Sequence, residues 1–155
     1  MTFERTADLA LVRSILTDPR CWRRMANDDA PEREKFDCSV VAWRCMFILA
    51  RGGCGEPRAL FVMVPTIPTE AEVHFCVVPS AWGRAVEIVT EFLRWAWRET
   101  SIVRLYGPVP GYNTLALATA RRCGFSIIPA PQQRTVTKNG KTYPLILTSI
   151  ERPTS

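Results

Sequence analysis

A single histidine, His74, stands among 155 residues, and no two cysteines are spaced C-x-x-C. That scarcity argues against a zinc site, which draws its ligands mainly from those two residue types; no metal is expected. The six cysteines (Cys21, Cys38, Cys45, Cys54, Cys76 and Cys123) are scattered and mostly embedded in apolar patterns. They read as reduced thiols of a cytoplasmic protein, with no disulfide framework. No apolar run nears the roughly 18–20 residues of a membrane span, and "CMFILA" and "ALFVMV" have the length of core strands. The opening "MTFERTADLA" lacks the basic and apolar regions of a secretory signal. Linkers, internal repeats and low-complexity tracts are missing as well, so one domain over residues 1–155 is expected. So is a basic stripe with interleaved aromatics: "RCWRRMANDDAPEREK" mixes both signs. Nucleic acid is therefore not the expected partner, while a net charge of +5 suits a smaller anion such as a phosphorylated molecule.

What is present is a hydrophobic content of 47%, enough for a sizeable core. Residues 7–16 repeat apolar positions at helical spacing, with Thr6 as N-cap. Asp18-Pro19, a cap residue followed by proline, opens a second short helix. Residues 40–51 and 58–65 read as strands around the hairpin signal "GGCGEP", and residues 70–78 as a third strand. Residues 84–98 form the strongest helix, with Ala85, Ile88, Val89, Phe92, Leu93 and Ala96 on one stripe. "SIVRLY" (101–106) reads as a short strand broken by "GPVPG". Asn113 caps a helix that ends at Gly124, and Asn139-Gly140 turns a final hairpin with an irregularity at Tyr143-Pro144. Helices flanking such strands imply a mixed α/β sheet.

In "CVVPSAWGRAVEIVTEFLRWAW" (76–97) a strand, a small-residue turn and a helix N-terminus follow one another. The first N–H groups of a helix lack internal partners and lie at the positive end of its dipole, so small residues there let a phosphate approach. Gly83 and Ala85 supply the smallness and Arg84 a charge. The run "V-x-P-x-x-x-G-x-A" (77–85), the element order, and "N-T-L-A-L-A-T-A-R-R-C-G-F" (113–125) resemble the GCN5-related N-acetyltransferase (GNAT) superfamily over roughly residues 6–150. "TADLALVRSILTDPRCWRRMANDD" and His74 further resemble the acetyltransferase-like proteins of tailed bacteriophages.

The resemblance implies a mostly antiparallel sheet of about six to seven strands, splayed between 70–78 and 101–106 and flanked by about four helices. It implies acetyl-CoA as cosubstrate: pyrophosphate on the backbone of Gly83, Arg84 and Ala85, Arg121 or Arg122 on the outer phosphate, and Val77, Val78 and Asn113 along the pantetheine. It implies an amine acceptor beneath the first two helices, where Trp22, Asp28 and Asp29 lie. Period two puts Glu72 and His74 on one strand face, and a base is needed to deprotonate an amine before it attacks a thioester. His74, whose ordinary pKa lies near neutrality, is the first candidate and Glu72 the second. Ser80 replaces the family's Gln or Arg, and Ala120 its tyrosine seven residues after the Asn, with Tyr106 and Tyr112 nearby. These departures favour the alternative, a non-catalytic phage structural or assembly protein that keeps the fold and has virion partners.

Overall fold

A computed structural model describes residues 1–130 and 132–154. In chain order the elements are β1 (Thr2–Arg5), α1 (Leu9–Leu16), α2 (Pro19–Met25), α3 (Ser39–Ala42), β2 (Met46–Arg51), β3 (Pro57–Ile67), β4 (Glu70–Val77), a 3₁₀ turn (Pro79–Arg84) and α4 (Ala85–Glu99). β5 (Arg104–Pro110), α5 (Thr114–Arg122), β6 (Ser126–Ile127), β7 (Thr135–Lys138) and β8 (Lys141–Glu151) complete the chain. The strands join in the order β1-β2-β3-β4-β5-β8-β6, with β7 on the first part of β8. Every pairing is antiparallel except β4 with β5. The result is the expected mixed, mostly antiparallel α/β sheet, with eight strands and five α-helices among the described residues.

Alternation along the strands builds two cores. Phe47, Leu49, Leu60 and Cys76 face α1 and α2, where Val12, Ile15 and Cys21 meet them. Ile48, Phe61, Met63 and Val73 face the opposite way, against Ile88, Val89, Phe92, Leu93 and Ala96 of α4 and Ala120 of α5. Phe61 and Phe92 stack with centroids 3.8 Å apart and planes 6° apart, an arrangement worth about 0.5–1.5 kcal/mol beyond its buried area.

β4 and β5 pair only over Glu70–Glu72 and Arg104–Tyr106, then part. The cause is in β5. Arg104 donates its N–H to Thr69 O on the β4 side, and Gly111 donates to Pro144 O on the β8 side. Alternation therefore turns the main chain of residues 104, 106, 108 and 110 toward β4. Pro108 and Pro110 leave that edge without donors, while pairing with β8 continues to Pro110 opposite Leu145. At the fork the strands still nearly touch: a Cβ on Gly107 would lie 2.5 Å from Val73 O.

Several local expectations are corrected. Asp8, not Thr6, caps α1, accepting from Leu11 N–H at 2.9 Å, and Thr6 accepts from Asp8 N–H. Residues 40–42, read as the start of a strand, lie in α3, whose Val40 is exposed. The strand expected to stop at Tyr106 runs through both prolines to Pro110. Asp18 caps α2 and Asn113 caps α5 as expected. Asn139 and Gly140, with φ of 51° and 72°, make the expected hairpin turn.

Candidate active site

Beyond the fork a cavity of about 510 Å³ opens between the end of β4, the 3₁₀ turn, the first turn of α4, and α5. Trp82 sets its geometry: the indole Nε1–H donates to Val77 O at 2.9 Å and ties the turn to the strand end. The Arg24 guanidinium of α2 lies over the same ring, 4.5 Å from its centroid. Gly83 lines the cavity in an ordinary backbone conformation, and a Cβ there would meet nothing within 4 Å. Its lack of a side chain therefore supplies open space and not conformational freedom. No side chain caps α4 at Arg84; the 3₁₀ turn runs directly into this 15-residue helix, whose positive dipole end lies at the cavity. Ala85 closes the 3₁₀ turn by donating to Trp82 O; Val86 and Glu87, which carry the next first-turn amides, also line the cavity.

Arg24, Arg84 and Arg122 bring three positive charges to the cavity wall against one carboxylate, Glu87. Arg84 Nε donates to Glu87 at 2.9 Å, which holds the Glu87 carboxyl below its ordinary range and raises the guanidinium. Asn113 both lines the cavity and accepts from Ala116 N–H at 3.2 Å as the cap of α5.

On β4, period two sets Glu72, His74 and Cys76 on the face toward α1 and α2. His74 Nε2 lies 2.6 Å from Glu72 Oε1, and both side chains are part-exposed. That hydrogen bond is the main cause of a lowered Glu72 carboxyl pKa, and the charges of Arg134 and Arg44 add to it. His74 does not line the cavity; Cys76 does. Two residues of strand, about 7 Å, separate them. Glu72 opens instead onto a second cavity of about 340 Å³ on the same sheet face, shared with Tyr106, Arg134, Leu145 and Leu147.

No protein-family model matches the chain, and no curated protein matches its sequence. Solved structures do. Spermidine N-acetyltransferase from Vibrio cholerae, in complex with CoA and spermine, superposes with a TM-score of 0.75 at 13% identity, covering 97% of this chain and 94% of that one. AAC(6')-Ib, in complex with ribostamycin and coenzyme A, gives 0.70 at 16% identity over 97% and 93%. Ribosomal-protein-alanine N-acetyltransferase from Brucella melitensis gives 0.67 at 17% identity over 98% and 100%. The fold is that of the GNAT acetyltransferases.

Within this fold the expected site residues divide. Gly83, Arg84, Ala85, Val77, Asn113 and Arg122 line one cavity; Arg121 does not. Val78 N–H is engaged by Arg58 O at 3.0 Å on the β3 side, so by alternation Phe75 and Val77, not Val78, turn their main chain to the fork. Trp22 packs edge-on against Phe36 with centroids 5.3 Å apart and lies outside both cavities. Asp28 is a fastener. Its carboxylate accepts from the turn amides of Asn139 and Gly140 at 2.8 and 2.9 Å, which hold its pKa down. Asp29 is exposed, with its N–H on Asn27 Oδ1, and lines neither cavity. Ala120 is 2% exposed on the core face of α5, whereas Ala116 and Thr119 face the cavity. Tyr112 donates its hydroxyl to Met25 O. Sequence reasoning missed Trp82, Arg24, Met25 and Thr119 as cavity residues. An aromatic between Pro79 and Gly83, in a turn otherwise of small residues, was the available signal for the first.

Among the described residues no group of three or more His, Cys, Asp and Glu is placed to hold a metal ion. Among the described residues no helix is long and apolar enough to cross a membrane.

Proposed function

We propose that this chain is an acetyl-CoA-dependent N-acetyltransferase acting on an amine. The fork between β4 and β5 carries this reading. It turns unpaired main chain of β4 toward a cavity that ends at an uncapped helix N-terminus with arginines around it, as an extended thiol ester bearing phosphates requires. Acetyl-CoA supplies an activated acyl group. Gly83 leaves room for the pyrophosphate, Arg84 exchanges Glu87 for it, and Arg122 adds charge at the mouth. Val77 turns its N–H toward the fork as the donor for the thioester carbonyl oxygen, and Asn113 lies alongside the pantetheine.

His74 is the proposed base. Glu72, ionised because its pKa is lowered, can only accept, so it takes the Nε2–H of His74 and leaves Nδ1 free to remove a proton from the amine. The cavity beside Glu72 and Tyr106 is the side from which an acceptor reaches that face. Two measurements test the reading: calorimetric titration with acetyl-CoA, and coenzyme A release across amines, polyamines and peptides. Saturable binding with acceptor-dependent release is expected. Binding without release above hydrolysis for every acceptor would overturn the enzymatic reading.

A further inference from the structure

The second cavity, of about 340 Å³, is lined by charges of both signs, Glu72 and Arg134. Glu72 pairs with Tyr106 on the last rung before β4 and β5 part, so this end of the cavity adjoins the fork. From there the lining follows β5 and β8. Pro108 lies opposite Leu147 and Pro110 opposite Leu145, and opposite residues of an antiparallel pair share a face. Arg134 O accepts from Leu145 N–H at 2.8 Å, which sets Arg134 beside Leu145. Tyr106 pairs with Ser149, and from Ser149 back to Leu145 is four residues of strand, roughly 13 Å. Pro108, Leu145 and Leu147 make the wall between the two charges apolar. Arg104 and Arg134 differ in what they hold. Arg104 is engaged by Ser149 Oγ at 3.0 Å and by Glu70 at 3.7 Å. Among the described residues the Arg134 guanidinium has neither a hydrogen-bond acceptor nor a carboxylate partner, although it lines the cavity. Its charge and that of Arg44 are both felt at Glu72 and help to keep that carboxyl ionised.

We propose that the acceptor is a small amino carboxylate, with its ammonium at Glu72 and His74, its carbon chain on Pro108, Leu145 and Leu147, and its carboxylate on the Arg134 guanidinium. The inference rests on reading the chain as an acetyl-CoA-dependent N-acetyltransferase. A cavity of this volume takes a small molecule, and the planar fork of a guanidinium matches a carboxylate. Glu72 is the one carboxylate in the lining, so a single ammonium is matched there. A polyamine would bring a second ammonium beside Arg134, and like charges placed together lower affinity. In the transfer the ammonium gives one proton to His74, and the freed nitrogen bonds to the acetyl carbonyl carbon. The bond from that carbon to the coenzyme A sulfur breaks, and a second amine proton leaves on the thiol. The carboxylate of the acceptor is unchanged, so Arg134 sets specificity and takes no part in the chemistry.

The test follows coenzyme A release from acetyl-CoA by the full chain with 6-aminohexanoate, n-hexylamine and 1,6-diaminohexane, and with their four-carbon counterparts. Within each set the amine and the chain are shared, and the far end is negative, neutral or positive. In at least one set the amino carboxylate should exceed the alkylamine by about tenfold or more in kcat/KM. The gain should lie in KM, because the contact is the same in the ground and transition states. The diamine should be the poorest of the three. Arg134→Leu should bring the amino carboxylate to within about threefold of the alkylamine, and Arg134→Glu should reverse the order in favour of the diamine. Arg134 is exposed, so neither variant opens the core, and the comparison on the parent needs no variant at all. Release with the alkylamine or the diamine at least equal to the amino carboxylate in both sets overturns this inference and leaves the acyltransferase reading standing. A preference that survives Arg134→Leu also overturns it. Calorimetric binding of acetyl-CoA with no release for any of the six amines overturns the enzymatic reading and this inference with it, and no binding overturns the acyl-CoA site as well.

Discussion

Gly83→Glu isolates the phosphate cradle from the rest of the molecule. A Cβ at residue 83 meets nothing within 4 Å, and its φ is not in the left-handed region. The substitution therefore adds no clash, and Gly83→Ala serves as a control that should be neutral or stabilising by up to about 1 kcal/mol, through lost freedom of the unfolded chain. The glutamate puts a carboxylate at the mouth proposed for the pyrophosphate and offers Arg84 a second partner beside Glu87. One such charge about 5 Å from one phosphate charge, at an effective dielectric of about 20, costs roughly 3 kcal/mol. That is about a hundredfold in affinity. Calorimetric titration of acetyl-CoA into parent, Gly83→Ala and Gly83→Glu, each with a thermal melt, reads both quantities. Near-parental binding by the alanine variant is expected, with at least a hundredfold loss in the glutamate variant and closely similar melts. If Gly83→Glu binds within about threefold of the parent, the cradle is not at this turn.

His74→Ala should lower turnover on the order of 10²–10⁴-fold with acetyl-CoA affinity unchanged, because His74 lies outside the cavity; steady-state kinetics beside calorimetry checks it, and equal rates would remove His74 from the mechanism. Gly107→Ala must push a methyl group against Val73 O; a stability loss of about 1–3 kcal/mol is expected in urea melts, and an unchanged midpoint would mean that the fork relaxes freely. The lowered pKa of Glu72 stabilises the fold above the unfolded carboxylate value of about 4.3 and is lost as pH falls through the folded value. Melts of parent and His74→Ala should therefore converge as pH falls through the folded Glu72 value, and a constant gap would contradict the coupling. Thiol titration of denatured, unreduced protein should find all six cysteines.

What could be read from sequence was local. The stripe of α4, the Asp18 and Asn113 caps and the Asn139-Gly140 turn each depend on residues a few positions apart, and each is in the structure. Val40 and Val41 misled because β-branched residues favour strands only where a sheet receives them, and here they form an exposed helical turn. Pro108 and Pro110 read as a strand end, because proline blocks pairing only on the edge its nitrogen faces, and that edge is known only once β8 is placed on the other side. Asp28 has the residue type for binding a cation, yet each of its carboxylate oxygens is engaged by an amide 111 or 112 residues away. Long-range partners decide such cases, and no spacing in the chain announces them.

On the proposed reading Trp82 links binding to chemistry. Its indole N–H donates to Val77 O, the same carbonyl that Cys21 Sγ approaches, while its ring carries Arg24 from the helix that bears Cys21. The 3₁₀ turn, the strand end and α2 are thus fastened through one side chain, all within the wall of one cavity. A carbonyl held by two donors keeps its direction at the fork. The Val77 N–H, pointing to the same side of the strand as its carbonyl, keeps its direction too. Preorganised donors of this kind stabilise a developing oxyanion without reorganising during the reaction. On the proposed reading the aromatic ring in the turn serves the reacting end of the cavity as much as the phosphate end, and a change at residue 82 acts on both together.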